Sequence, residues 1–185
     1  MKTRYDLINY LIKKFKYKSY LEIGVQYGHT WNTIECLHKT GVEPEFTHVD
    51  DRIYKLKSDK FFELNTSFFD LIFVDGDHSF EQSKRDIMHA FLVLNPKGRI
   101  VCHDVLPKDQ EHTNPYLCGE VYRSIAHVLT LGIFDINTWV EDHGCGILKR
   151  GSTEIDIKIN NYEDYEKHKD IYKIFSDING RASSL

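Results

Sequence analysis

The sequence has no surplus of positive charge. Its 24 lysines and arginines against 28 acids leave a formal net charge of -4 with the signs interspersed, so the basic field that nucleic-acid binding requires is missing and neither DNA nor RNA is expected as a partner. It also lacks any apolar stretch of membrane-spanning length. The N-terminal "LINYLI" is six residues long and Lys13 and Lys14 follow it, which fits neither a secretory leader nor a span. Cysteine is scarce and scattered: Cys36, Cys102, Cys118 and Cys145 form no CxxC pair and no zinc spacing, and they read as core thiols of a reducing cytoplasm. Repeats and low-complexity segments are absent as well. What is there suffices for one core. With 185 residues, 41% hydrophobic and 13% aromatic, the chain is long enough for a single globular unit and too apolar for extensive disorder.

Strand and helix patterns alternate. Leu7, Ile8, Leu11, Ile12 and Phe15 recur at helical spacing over about Arg4 to Lys16, followed by a strand, "SYLEIG". Residues 30–38 read as helix and "EFTHVD" as a second strand. "YKLKSDKFFELN" has room for a short strand and a short helix, and "FDLIFVD" is the strongest strand. Ser79 with Gln82 matches a capping box opening the next helix, whose buried stripe is Ile87, Ala90, Phe91 and Leu94. "NPKG" punctuates its end and "RIVCHD" is another strand. Such alternation predicts an α/β fold with a mostly parallel sheet covered on both faces, its ligand site at the carboxyl ends of the strands. Beyond Pro107, "PKDQEHTNPY" is a polar loop and "GEVYRSIAHVLTLG" a helix. "IFDINTWVEDHGCGILKRG" is a hairpin turning at Asp142, His143 and Gly144. The tail reads as a polar helix with a thin apolar stripe of Ile171, Ile174, Phe175 and Ile178, suited to capping the domain or to a homodimer contact. The expected organisation is a core over about 19–150, an N-terminal helix over 1–18 and a helical extension over 151–185.

Three constellations carry chemistry. "LEIGVQYGHT" is a strand, a glycine-bearing turn and a helix start; Gly24 and Gly28 remove side chains where a nucleotide-like ligand would approach backbone. Gln26 and His29 depart from GxGxxG, which weakens a dinucleotide reading. Asp50 ends the expected second strand and is placed to accept the hydroxyls of a ribose. At the third strand end, Asp75-Gly76-Asp77-His78 meets His103 and Asp104 of "VCHD" on one predicted rim. Two imidazoles and three carboxylates there favour a site over a solvated edge. Asp77 reads as a helix cap, Asp142 and His143 as a simple tight turn ahead of a reading in which they close over the cleft, Tyr27 and Phe80 as packing residues, and His112 as inert or substrate-facing.

On these residues the chain resembles the class I S-adenosylmethionine-dependent methyltransferases. "LEIGVQYGHT" resembles their first motif, with Glu22, Gly24 and Gly28 matching, and "HVD" their ribose motif through Asp50. "LKSDKFFELN" is similar to the adenine-lining segment of a bacterial subfamily related to the metal-dependent, catechol- and macrocin-type O-methyltransferases, through Ser58 and Asp59. The resemblance is most specific in "FDLIFVDGDHSFEQSKRDI…LNPKGRIVCHD" and spans about Ser19 to Arg150. It implies a Rossmann-like fold with a seven-stranded sheet, a C-terminal antiparallel hairpin and helices on both faces. It also implies S-adenosylmethionine as cofactor, bound with the help of Asp75, and a metal set of Asp75, His103 and Asp104 open to magnesium, manganese, iron or no metal at all. His103 departs from the oxygen ligand that magnesium prefers. His78 stands where the relatives have a lysine or a histidine proposed as base, so His78 ranks first and His103 second as the catalytic base.

The function expected is O-methylation of a hydroxyl on a small molecule, sugar or glycan. A metal-dependent hydrolase built on Asp75, His78, His103 and Asp104 and a non-catalytic cofactor-binding module stand as alternatives. An NAD-type oxidoreductase is disfavoured by the missing third glycine.

Overall fold

The computed structural model describes residues 2–47 and 50–177. Among these residues five helices, α1 (Arg4–Phe15), α2 (Ser58–Leu64), α3 (Phe80–Leu92), α4 (Val121–Leu129) and α5 (Tyr162–Lys167), accompany eight strands, β1 (Ser19–Ile23), β2 (His38–Val42), β3 (Ile53–Tyr54), β4 (Phe69–Val74), β5 (Leu94–Cys102), β6 (Phe134–Trp139), β7 (Cys145–Arg150) and β8 (Ile174–Phe175). The strands form one sheet in the order β3-β2-β1-β4-β5-β7-β6-β8. β3 through β5 pair in parallel, β7 is antiparallel to both β5 and β6, and β8 lies parallel to β6. This is the Rossmann-like α/β architecture predicted, with eight strands where seven were expected.

Strand alternation sends residues to two cores. Leu21, Ile23, Ile72 and Val74 face the side covered by α2, α3 and α4, packing with Phe61, Ile87, Ala90 and Ile125. Tyr20, Leu71 and Phe73 face α1 and Trp31, packing with Leu7, Ile8 and Leu11. α1 opens on a capping box between Thr3 and Asp6 and closes on Lys16 in the left-handed region, at φ 56°. At "NPKG" the β4–β5 register shifts, so β5 begins at Leu94 and runs through a bulge where a turn was expected.

Two segments differ from the sequence reading. The helix expected over 30–38 is only a 3-10 turn, Trp31–Thr33. Lys39 explains the short turn: its ammonium donates to the Trp31 and Ile34 carbonyls at 2.6 and 3.1 Å, satisfying groups that a longer helix would pair. The chain then enters β2 at His38, well before "EFTHVD", of which His48 and Val49 lie outside the described residues. The tail helix is also interrupted. Lys173 takes φ 48° after a 3-10 turn, and Ile174 and Phe175 then pair with Thr138 and Trp139. Of the two roles expected for the stripe, capping the domain or meeting a second copy, the burial of Ile171 and Phe175 within the chain fits the capping; Ile178 lies outside the described residues.

Candidate active site

The order β2-β1-β4 makes the chain cross over between β1 and β4, and in open α/β sheets ligands bind at such a point. There the Gly24 amide donates to the Val42 carbonyl and the Asp75 amide to the Ile23 carbonyl, at 3.0 and 2.9 Å. The two loops touch: a Cβ on Gly24, whose φ is 88°, would fall 2.1 Å from the Asp75 carbonyl oxygen. Only glycine fits, because both conformation and space exclude a side chain.

Above this crossing lies a cavity of about 1300 Å³. One end is lined by Glu22, Gly24, Gln26, Glu43, Ser58 and Asp59. Glu22 is fully buried; its Oε2 accepts from the Tyr20 hydroxyl at 2.7 Å, while Oε1 has no hydrogen-bond partner among the described residues. Burial pushes the Glu22 carboxyl up to about 8. Glu43 immediately follows β2 and accepts from the Gln26 amide at 2.8 Å. Asp50 does not line the cavity. Its oxygens are taken by the Arg52 guanidinium at 2.9 and 2.7 Å and by the Trp31 indole at 3.0 Å. The early start of β2 moves the strand end from Asp50 to Glu43, a residue missed because β2 was placed one segment late. The "GV" that ends β2 before Glu43 was the available signal.

Ser58 and Asp59 open α2 and receive the Gln82 amide of α3 at 3.1 and 3.2 Å; the same amide also donates to Asp86 at 3.0 Å. Gln82 thus braces α2 against α3 and does not complete a capping box, since Ser79 makes no side-chain cap bond. Asp77 does the local work by accepting the Ser79 amide at 2.8 Å. Asp86 is buried and pushed up to about 6 by that burial.

The cavity also reaches a charge cluster assembled from four segments. Asp75 follows β4, His78 precedes α3, His103 and Asp104 follow β5, Asp142 sits in the β6–β7 turn and Arg4 opens α1. His103 Nδ1 lies 3.1 Å from both Asp75 Oδ1 and Asp104 Oδ2, and its Nε2 lies 3.5 Å from Asp142 Oδ1. His78 Nε2 lies 3.4 Å from Asp104 Oδ2 and 3.7 Å from Asp75 Oδ1, while its Nδ1 contacts the Leu117 carbonyl. Arg4 Nε is 3.5 Å from Asp75 Oδ2, and the Arg4 backbone amide donates to Asp142 at 2.6 Å.

Burial opposes the charges of His103, Asp75, Asp142 and His78, yet these charges are mutually supporting. Burial would lower His103, but Asp75, Asp104 and Asp142 hold it well above the ordinary imidazole value. Burial would raise Asp75, and the His103 charge outweighs it, keeping that carboxyl well below the usual range. Asp142 is held at about 2 by His103 and Arg4, again against burial. His78 is raised because the Asp75 hydrogen bond and the Asp104 charge overcome burial. The β6–β7 turn is therefore no simple connector: Asp142 pins α1 and His103, and His143 lines the cavity.

Asp75, His78 and Asp104 each offer one ligand atom, all within 4.8 Å of one another. That grouping has His78 where the sequence suggested His103, whose ring nitrogens instead face carboxylates as a buried cation. Two carboxylates and one imidazole form a mixed set, closer to manganese than to magnesium.

Residues 26–105 match the family described as a methyltransferase domain. This match and the fold together are consistent with a class I S-adenosylmethionine-dependent methyltransferase. Solved structures of similar fold include a protein named as a caffeoyl-CoA O-methyltransferase from Staphylococcus aureus, with 21% identity, TM-score 0.63, and coverage of 80% of this chain and 82% of that one. An O-methyltransferase from Bacillus cereus in complex with SAH shares 13% identity, TM-score 0.62, and 80% of each chain. MycE of the mycinamycin biosynthetic pathway, in complex with Mg, SAH and mycinamycin VI, shares 17% identity, TM-score 0.54, and 80% of this chain against 50% of MycE. No curated protein matches the sequence. Neither the hydrolase nor the binding-module alternative gains support from these likenesses. No helix among the described residues is long and apolar enough to cross a membrane.

Proposed function

We propose that the protein methylates a hydroxyl of an uncharged, polyhydroxylated small molecule such as a sugar, and that it does so in the cytoplasm. The observation that carries this reading is one cavity with a glycine turn and an unpaired buried carboxylate oxygen at one end and a histidine–carboxylate cluster at the other. The four free cysteines suit a reducing compartment.

The cofactor end fits S-adenosylmethionine. Gly24 leaves room for backbone approach, the orphaned Glu22 Oε1 suits the cofactor's ammonium, and Glu43 is placed for its ribose hydroxyls. Ser58 and Asp59, braced by Gln82, suit the adenine edge. Bound there, the cofactor would supply an electrophilic methyl group on a sulfonium. His78 is the base: its Nδ1 is oriented by the Leu117 carbonyl, and its Nε2 takes the hydroxyl proton, the new imidazolium being stabilised by Asp75 and Asp104. The Glu120 amide donates to the His78 carbonyl at 2.8 Å, tying that loop to the start of α4. A cation held by Asp75, His78 and Asp104 would supply acidification of the acceptor hydroxyl as an alternative route.

The acceptor end favours a neutral partner. It is lined by Gln110, Thr113, Tyr116, His143, Asn161 and Tyr162, groups that donate to and accept from hydroxyls and offer rings to sugar faces. Among the described lining residues the lysines and arginines are Arg4 and Lys57; Arg4 is engaged by Asp75 and Asp142, and Lys57 sits beside Ser58 at the cofactor end. A phosphate-bearing acceptor would meet no free cation there. Both expected peripheral segments contribute, the N-terminal helix through Arg4 and the extension through Asn161 and Tyr162.

His78→Ala tests the assignment. It should retain calorimetric affinity for S-adenosylhomocysteine while losing about 100-fold or more in turnover with a hydroxylated acceptor; full activity would remove His78 from the mechanism.

A further inference from the structure

Asp104 presents its two oxygens to different neighbours. Oδ2 faces His78 and His103, whereas Oδ1 accepts from the Cys118 thiol at 3.6 Å. On that second side a separate triad forms. Asp104, Cys118 and His143 each offer one ligand atom, and the three atoms lie within 4.8 Å of one another. They come from three segments, the loop after β5, the loop before α4 and the β6–β7 turn, so no sequence spacing announces them.

The surroundings hold this triad in place. Cys118 is 1% exposed, and its amide donates to the His112 carbonyl at 3.0 Å. His143 is anchored through its carbonyl, which accepts from Leu106 at 2.9 Å, while its side chain remains exposed and lines the same cavity as Cys118 and Asp104. A thiolate, an imidazole and a carboxylate form a donor set that selects a soft or borderline cation over magnesium. Three protein ligands with a cavity beyond them leave the fourth tetrahedral position open, as in zinc sites that act on a bound oxygen.

We propose that Asp104, Cys118 and His143 form a site for a soft divalent cation of the Zn²⁺ class, with its open position toward the acceptor end of the cavity. On binding, the Cys118 sulfur–hydrogen bond gives way to a sulfur–metal bond and the proton leaves to solvent. The site itself does not rest on the methyl-transfer reading. Its use to polarise an acceptor hydroxyl does.

The test uses the full chain, stripped with a chelator and titrated with Zn²⁺ against a chromophoric competitor. A single tight equivalent is expected, weakened about 100-fold in Cys118→Ser and in His143→Ala and unchanged in Cys36→Ser. With Co²⁺ in place of Zn²⁺, a thiolate-to-metal charge-transfer band should appear in the near ultraviolet and be lost in Cys118→Ser. Zn²⁺ affinity that neither ligand substitution changes, or a Co²⁺ form without that band, overturns the site. The exposed His143 side chain makes His143→Ala decisive should Cys118→Ser fail to fold. S-adenosylhomocysteine affinity measured on the same samples separates the two readings: zinc lost with cofactor binding retained supports the site, whereas a wild-type chain that binds zinc but no cofactor sinks the proposed function alone.

Discussion

The two ends of the cavity are built by different means. The end proposed for the cofactor is made of backbone and near neighbours: Gly24 pressed on Asp75, the Gln26 amide on Glu43, and Ser58 and Asp59 opening one short helix. The acceptor end is made of side chains from distant segments, with Arg4 and Asp142 138 positions apart and His78 and Leu117 39 positions apart. The cofactor end therefore depends on shape, and a single added carbon should ruin it. The acceptor end depends on charge balance, in which Arg4 and His103 offset Asp75, Asp104 and Asp142, so that removing one member exposes the rest to an uncompensated buried charge.

The sharpest way to break this contrast is at Gly24. Gly24→Ala places a Cβ 2.1 Å from the Asp75 carbonyl in a backbone at φ 88°. The two loops must separate, which should cost about 3 kcal/mol in denaturant-derived stability and abolish S-adenosylhomocysteine binding. Wild-type affinity in Gly24→Ala would show that the crossing is not where the cofactor lies.

A smaller effect sharpens the cofactor end alone. Glu43→Gln should weaken S-adenosylhomocysteine about tenfold, the loss of one charge-assisted hydrogen-bond pair. Asp50→Ala should leave that affinity unchanged and show its effect in thermal stability, because Asp50 holds Arg52 and Trp31. The reverse outcome would return the ribose contact to Asp50.

The same contrast explains what could be read from the sequence. The α/β class, the glycine turn, the strand ending at Asp75 and the strand before His103 were all legible, since apolar runs and turn residues report on local structure. β2 was not. The stretch from Thr30 to His38 has helix-compatible residues, and only the tertiary reach of Lys39 back to the Trp31 and Ile34 carbonyls shows why the helix stops. The tail failed for a related reason, since the pairing of Ile174 and Phe175 with the β6 edge overrides a helical stripe that is thin in the sequence. Asp142 and His143 are legible only as a hairpin turn and Cys118 carries no local pattern, and their meeting with the rim depends on how the β6–β7 turn folds back over the sheet.

The least disruptive probe leaves shape untouched and changes one proton. In the free protein burial holds Glu22 at about 8, so at neutral pH it is mostly protonated. The ammonium of a cofactor arriving at Glu22 Oε1 favours the ionised form, because an opposite charge in a low-dielectric site lowers a carboxyl's pKa. Binding must then expel a proton, and by linkage the affinity should rise as pH approaches that value, by about fivefold from pH 7 to pH 8, and level off above it. Calorimetry of S-adenosylhomocysteine in buffers of different ionisation enthalpy would read the released proton directly. In Glu22→Gln both the proton release and this part of the pH dependence should vanish. If instead the wild type binds without releasing a proton, Glu22 stays neutral in the complex, and its unpaired oxygen serves the Tyr20 side of the sheet and not the cofactor.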